Sequence, residues 1–173
     1  MTRLTVLTVP DPRLRLKAGP VTQVDDEIRQ LMNDMMETMY TDDGVGLAAV
    51  QVGIPKRVIV IDLTDHYPTL KPLKIANPEI TWRSKETTVE LESCLSVPDQ
   101  CAPVERHLAI KVKYLDENNS FQEIDAEDLL ARCFQHEIDH LDGKVYIDKQ
   151  FHLKIANLVV QNHDLYLSCS YLP

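Results

Sequence analysis

The sequence predicts a single domain of mixed helices and strands, on three observations. Apolar residues recur at helical spacing over 25–41 and again over 126–142. Short segments of strand character fill the interval between them. The length of 173 residues suits one hydrophobic core and is short for two, so residues 1–173 are read as one domain.

Composition bounds the function. Hydrophobic residues make up 44% and charged residues 26%, as in ordinary globular proteins. A formal net charge of -9 repels phosphate backbones, so no direct nucleic-acid binding is expected. The start lacks the basic and apolar stretches of a signal peptide. The longest apolar run, Val58-Ile59-Val60-Ile61, is far short of a membrane span. A cytoplasmic protein without membrane contact is expected. In a reducing compartment Cys94, Cys101, Cys133 and Cys169 read as core residues, metal ligands or nucleophiles rather than disulfides.

Early prolines (Pro10, Pro12, Pro20) suggest an irregular N-terminal arm laid over the surface. Over 25–41, Ile28, Leu31, Met32, Met35, Met36 and Met39 form one helix face, with Asp25 or Asp26 as the cap. Packing against a sheet explains that methionine stripe better than a binding surface does. GVGLAAVQVG (44–53) is too rich in small residues for an ordinary helix. It reads as a loop or short extended segment that approaches something closely. RVIVIDL (57–63) reads as a buried strand, with further strands at 73–80, 86–92 and 108–115. Asn118-Asn119-Ser120 makes a turn before a short FQEID strand. AEDLLARCFQHEIDHLD (126–142) is the second helix, capped by Asp125 and stopped at Gly143. A short strand at 144–147 and a C-terminal helix at 152–163 follow, and the apolar tail LYLSCSYLP has no assigned role.

Within the second helix, His136-Glu137-Ile138-Asp139-His140 is an HExxH motif. Residues four apart share a helix face, so His136 and His140 can grip one ion, with Glu137 placed to handle a proton of its water. A catalytic site needs a third ligand. The position a third histidine would take in metzincins holds Tyr146, and no glutamate follows Glu137. His152, His163 and Asp148 match no justified spacing, so the ligand is sought upstream. Cys133 sits in the helix's apolar stripe and reads as core. Cys94, at a strand end before a proline turn, is favoured over Cys101 as a thiolate ligand.

Three segments together carry a more specific signal. GVGLAAVQ (44–51), ESCLS (92–96) and QHEIDH (135–140) resemble, in order and spacing, the signatures GφGxAAxQ, EGCLS and QHExDH (φ apolar) of the peptide deformylase family. The PDPRLR start, the METMY helix end, RVIVID, NPEI and HLDGKVYID extend the likeness over roughly residues 4–150. The resemblance implies an α+β fold: antiparallel β-sheets packed around a central HExxH-bearing helix, with an N-terminal and a C-terminal helix. It implies a hydrolase that removes the N-formyl group from the starting methionine of new proteins and releases formate. It makes Cys94, His136 and His140 the ligands of one divalent metal ion, natively Fe²⁺, with Zn²⁺, Ni²⁺ or Co²⁺ as substitutes. Glu137 becomes general base and acid, while Gln51 and the backbone N–H of Leu95 become oxyanion donors. Val45, Gly46, Leu129, Arg132 and Cys133 become substrate contacts, with Arg132 as a pocket wall whose head lies in water. Asp139 is expected to support the ligands from behind. Formyl-methionyl nascent peptides are the implied partners, with transient proximity to the ribosome and a monomeric state.

The sequence departs from the family at Ser93, where EGCLS has glycine. A positive φ or tight packing there would strain serine, though activity is expected to survive. Two other readings share these residues. One is an HExxH zinc endopeptidase, against which the missing downstream ligand argues. The other is a weakly active or non-catalytic paralogue that binds formylated N-termini.

Overall fold

The computed structural model describes residues 2–149. The expected helix at 152–163 and the apolar tail lie outside the described residues.

Helix α1 (Asp26–Thr41) begins where the sequence places it: the Asp25 carboxylate accepts from the Ile28 N–H at 3.0 Å. Its buried face is Ile28, Met32, Met35, Met36 and Met39. The small-residue segment supplies strand β1 (Gly46–Ala48), then a 3-10 turn (Ala49–Val52) closed by Gly53 at φ +80°. Strands β2 (Val58–Ile61), β3 (Leu73–Arg83), β6 (Ala109–Leu115) and β7 (Phe121–Glu127) join β1 in an antiparallel sheet of order β1-β2-β3-β6-β7. Among the described residues, strands β4 (Thr87–Cys94) and β5 (Val97–His107) pair only with each other, as an antiparallel hairpin.

Helix α2 (Asp128–Leu141) is buried at every residue from Leu130 to Leu141. Burial on both faces explains why β2 is an unbroken apolar run. Ile59 and Ile61 pack with Leu130, Phe134 and Ile138 of α2, while Val58 and Val60 pack with the α1 methionines. The hairpin packs through Val97, Ala102 and Val104 onto Val145 and Tyr146, which follow α2.

Three local expectations are corrected. Asp125 lies in β7, paired to the Lys111 ammonium at 2.7 Å, and α2 starts directly from the strand without a side-chain cap. The segment expected as a strand at 144–147 carries a 3-10 turn, Tyr146–Lys149. Strand β5 was not anticipated. Pro98 and Pro103 suppress its strand signal, and they are tolerated because one edge of β5 is free within its two-stranded sheet.

The N-terminal arm is a strap of backbone bonds. Leu7 donates to the Gln51 carbonyl at 2.7 Å, Val9 to that of Ser96 at 2.9 Å and Ala18 to that of Leu141 at 2.8 Å. Gly143 stops α2 at φ +74°, with the Arg15 carbonyl oxygen only 2.5 Å from where a Cβ would stand.

Candidate metal centre

Helix α2 places His136 and His140 one turn apart, and the end of β4 brings Cys94 across from them. The Cys94 Sγ lies 3.2 Å from His140 Nε2, which lies 3.2 Å from His136 Nε2. All three donor atoms fall within 4.8 Å of one another. Ligand atoms around a tetrahedral ion with bonds of about 2.0–2.3 Å sit roughly 3.3–3.6 Å apart, so this donor set fits a divalent metal. The chemistry agrees, since one thiolate and two imidazoles suit borderline ions.

The charged surroundings orient the ligands. His136 Nδ1 donates to Glu92 Oε2 at 2.9 Å, which leaves Nε2 free for the ion. Burial keeps His140 well below its ordinary pKa and therefore neutral, the form that binds metal. Arg106 grips Glu92 with two bonds of 2.8 Å. Burial opposes the Glu92 charge, yet the hydrogen bonds from Arg106 and His136 prevail and hold its carboxyl well below the usual range. The Tyr146 ring stacks on His136 at 6.0 Å, so the residue at the metzincin position is a wall rather than a ligand.

Glu137 is buried, and its Oε2 has no hydrogen-bond partner. Burial pushes its carboxyl up to about 7, a value suited to taking and returning a proton at neutral pH. Its carboxylate fills the space where a Cβ on Gly46 would be, 2.5 Å from Oε1, so Gly46 is required to be glycine. Gln51 is pinned at both ends. Its Oε1 accepts from the Ala48 N–H at 2.7 Å, and its Nε2 donates to Ser96 Oγ at 3.1 Å while lying 3.5 Å from Cys94 Sγ. Leu95 and Ser96 form the two-residue turn between β4 and β5.

The remaining predicted positions gather around this core. Cys133 is buried beside Gly46, with its Sγ 3.9 Å from the Val45 carbonyl, and burial raises its thiol pKa. Val45 is exposed, and Leu129 is half-buried against the α2 core. Arg132 departs from expectation. The residue is only 6% exposed, and its guanidinium is not in water but bonded to Glu92, Val104 and Thr88. Asp139 touches no ligand directly. It pairs with Arg106 and with Lys149, and so reaches His136 only through Arg106 and Glu92. Ser93 has an ordinary strand φ, is exposed, and pairs in register with Cys101, so no strain attaches to it. Sequence reasoning assigned no role to Glu92 and Arg106. The only available signal was a glutamate two residues before Cys94, at the period that places both on one strand face.

The family model for polypeptide deformylase matches residues 3–155. The chain belongs to the peptide deformylase family. It is 51% identical over 146 residues to the peptide deformylase of Bartonella tribocorum, covering 83% of this chain and 82% of that one. It is 49% identical over 159 residues to that of Rickettsia canadensis, covering 89% and 91%. Among solved structures, the peptide deformylase of Ehrlichia chaffeensis in complex with actinonin aligns with TM-score 0.83 and 43% identity, covering 89% of this chain and 92% of that one. That of Thermotoga maritima aligns with TM-score 0.82 and 41% identity, covering 87% and 99%. As a deformylase-family member the chain is a hydrolase, and the antiparallel sheets and two α-helices of its described residues give an α+β architecture. No helix among the described residues is long and apolar enough to cross a membrane.

Proposed function

We propose that the chain removes the N-formyl group from the formyl-methionine of newly made proteins, using Cys94, His136 and His140 to hold one divalent ion, natively Fe²⁺. The observation that carries this reading is the cluster of one cysteine sulfur and two imidazole nitrogens beside the buried Glu137 carboxylate, whose Oε2 has no partner. When bound, the ion supplies Lewis acidity and a nucleophilic water at neutral pH. Glu137, buried and unpartnered at Oε2, is the residue that would accept a proton from the attacking water and deliver it to the leaving amine. Gln51 Nε2 and the Leu95 N–H serve as oxyanion donors, and the two bonds that pin Gln51 keep its amide preorganised for that task.

The substrate backbone pairs with the free edge of β1 at Gly46, near Val45. Leu129, Cys133 and the stem of Arg132 line the methionine pocket, while Asp139 supports the centre through Arg106. The buried α2 is the central element of a single catalytic domain over residues 1–173. The protein works as a cytoplasmic monomer on nascent chains near the ribosome. Zn²⁺, Ni²⁺ or Co²⁺ substitutes for the native ion.

The test is formate release from a formyl-methionyl tripeptide by anaerobically Fe²⁺-loaded protein, with an internal peptide bond as the competing substrate. The Glu137→Ala variant is expected to keep its metal and lose turnover. No formate release from the loaded wild type, or near-native turnover by Glu137→Ala, refutes the reading.

A further inference from the structure

Arg132 lies on α2 one turn before His136, and its guanidinium is buried beneath the hairpin. A buried guanidinium is costly unless its donors are matched, and here every nitrogen has a partner. Nη1 donates to Glu92 Oε1 at 2.8 Å and to the Val104 carbonyl at 3.1 Å. Nη2 donates to Thr88 at its carbonyl, 3.2 Å, and at its Oγ1, 3.0 Å. Nε faces Glu90 at 3.2 Å, but the Glu90 side chain is 55% exposed, so that pair contributes little.

The Glu92 carboxylate is where these bonds converge. Oε1 accepts from Arg106 and Arg132, and Oε2 accepts from Arg106 and His136. Four donors fill its lone-pair directions. Two of them, from Arg132 and His136, come from one face of α2. Glu92 stands two residues before Cys94 on the same strand. A single carboxylate therefore ties the strand that carries the thiolate to the helix that carries both imidazoles.

We propose that Arg132 is a positioning residue of the metal centre, acting through Glu92 to hold β4 against α2 and so to slow release of the ion. This goes beyond a side-chain pocket wall, and it rests on the reading that Cys94, His136 and His140 are the ligands. Without Arg132, Glu92 Oε1 keeps one donor, the Thr88 and Val104 carbonyls each lose the guanidinium bond, and the His136 imidazole is less firmly held. Losing a partner behind a ligand typically costs about 10–100-fold in metal affinity.

The experiment measures release of Zn²⁺ from the loaded full-length protein into excess chromogenic chelator. Arg132→Met is expected to release the ion about 10–100-fold faster than wild type. Glu90→Gln stays within about twofold, because an exposed pair carries little. Glu92→Gln also releases faster, and Arg132→Met adds nothing to it, because both act through one carboxylate. Ile110→Val, a core change away from the network, lowers Tm and leaves release unchanged, which separates positioning from general stability. Release from Arg132→Met within twofold of wild type overturns the proposal, as does full additivity with Glu92→Gln. Should Arg132→Met fail to fold, Arg132→Lys carries the measurement. An ammonium cannot reproduce the fork, so release about 3–10-fold faster is expected, and a rate within twofold of wild type overturns the proposal. Cys94→Ala distinguishes the two levels: metal retained there refutes the ligand assignment itself, whereas metal lost there beside unchanged Arg132→Met refutes only the role of Arg132.

Discussion

Replacing Gly46 with alanine puts one methyl group into the Glu137 carboxylate. The new Cβ would stand 2.5 Å from Oε1 and 3.0 Å from Cδ, against an ordinary contact distance of 3.4 Å, so the carboxylate must recede by about 0.9 Å. Gly46 does not occupy a positive φ, so backbone strain plays no part. A displacement near 1 Å of a catalytic group costs on the order of 10²-fold in rate, or about 2.7 kcal/mol of barrier. Overpacking costs about 1–3 kcal/mol of stability, which shifts Tm by only a few degrees per kcal/mol in a chain of this size. The assay is steady-state deformylation of a formyl-methionyl peptide beside metal content and thermal unfolding. The expected result is full metal occupancy, a folded protein, kcat reduced about 10²-fold and KM little changed. The methyl group also meets Cys133 Sγ at 3.0 Å, so Cys133→Ala is added as a control. It relieves that contact alone and should not restore the rate. A Gly46→Ala enzyme within threefold of wild type, or one rescued by Cys133→Ala, refutes the argument that Gly46 exists to seat Glu137.

Gln51→Ala should lower kcat about 10²–10³-fold as an oxyanion donor is lost, with metal retained, checked by single-turnover formate release. Ser93→Gly should leave kcat/KM within about twofold, because Ser93 is exposed with an ordinary strand φ; a large gain in rate would show that serine strains the site after all. Gly143→Ala should cost about 2–4 kcal/mol, since its φ of +74° disfavours a side chain and the Arg15 carbonyl occupies the Cβ position; denaturant unfolding measures it.

Much of this molecule is written locally. The methionine stripe of α1 and the double apolar run of β2 follow from spacing alone, as does the HExxH face of α2. What is illegible is what depends on pairing across distance. Strand β5 carries two prolines and no regular apolar alternation, and it becomes a strand because β4 lies beside it. Asp125 has the chemistry of a cap but is claimed by β7 and Lys111. Arg132 has the chemistry of a snorkelling side chain, yet two hairpin carbonyls and Glu92 wait for it inside. The buried charges Glu92, Arg106 and Arg132 come from three separate elements, and no periodicity announces them. The third ligand was ambiguous from spacing alone for the same reason, because a helix reveals which of its own residues share a face and says nothing of the strand that crosses it.

The brevity of β1 has a consequence for what the enzyme accepts. Three residues of open edge are followed at once by the buried turn Ala49–Val52, whose Gln51 is laced to the hairpin at Ser96 and to the N-terminal strap at Leu7. On the proposed function, a peptide laid along β1 has at most three residues of edge to pair with before the backbone leaves the strand for the turn. Main-chain hydrogen bonding there is limited to a short stretch of the visitor, and the rest of its binding must come from side chains.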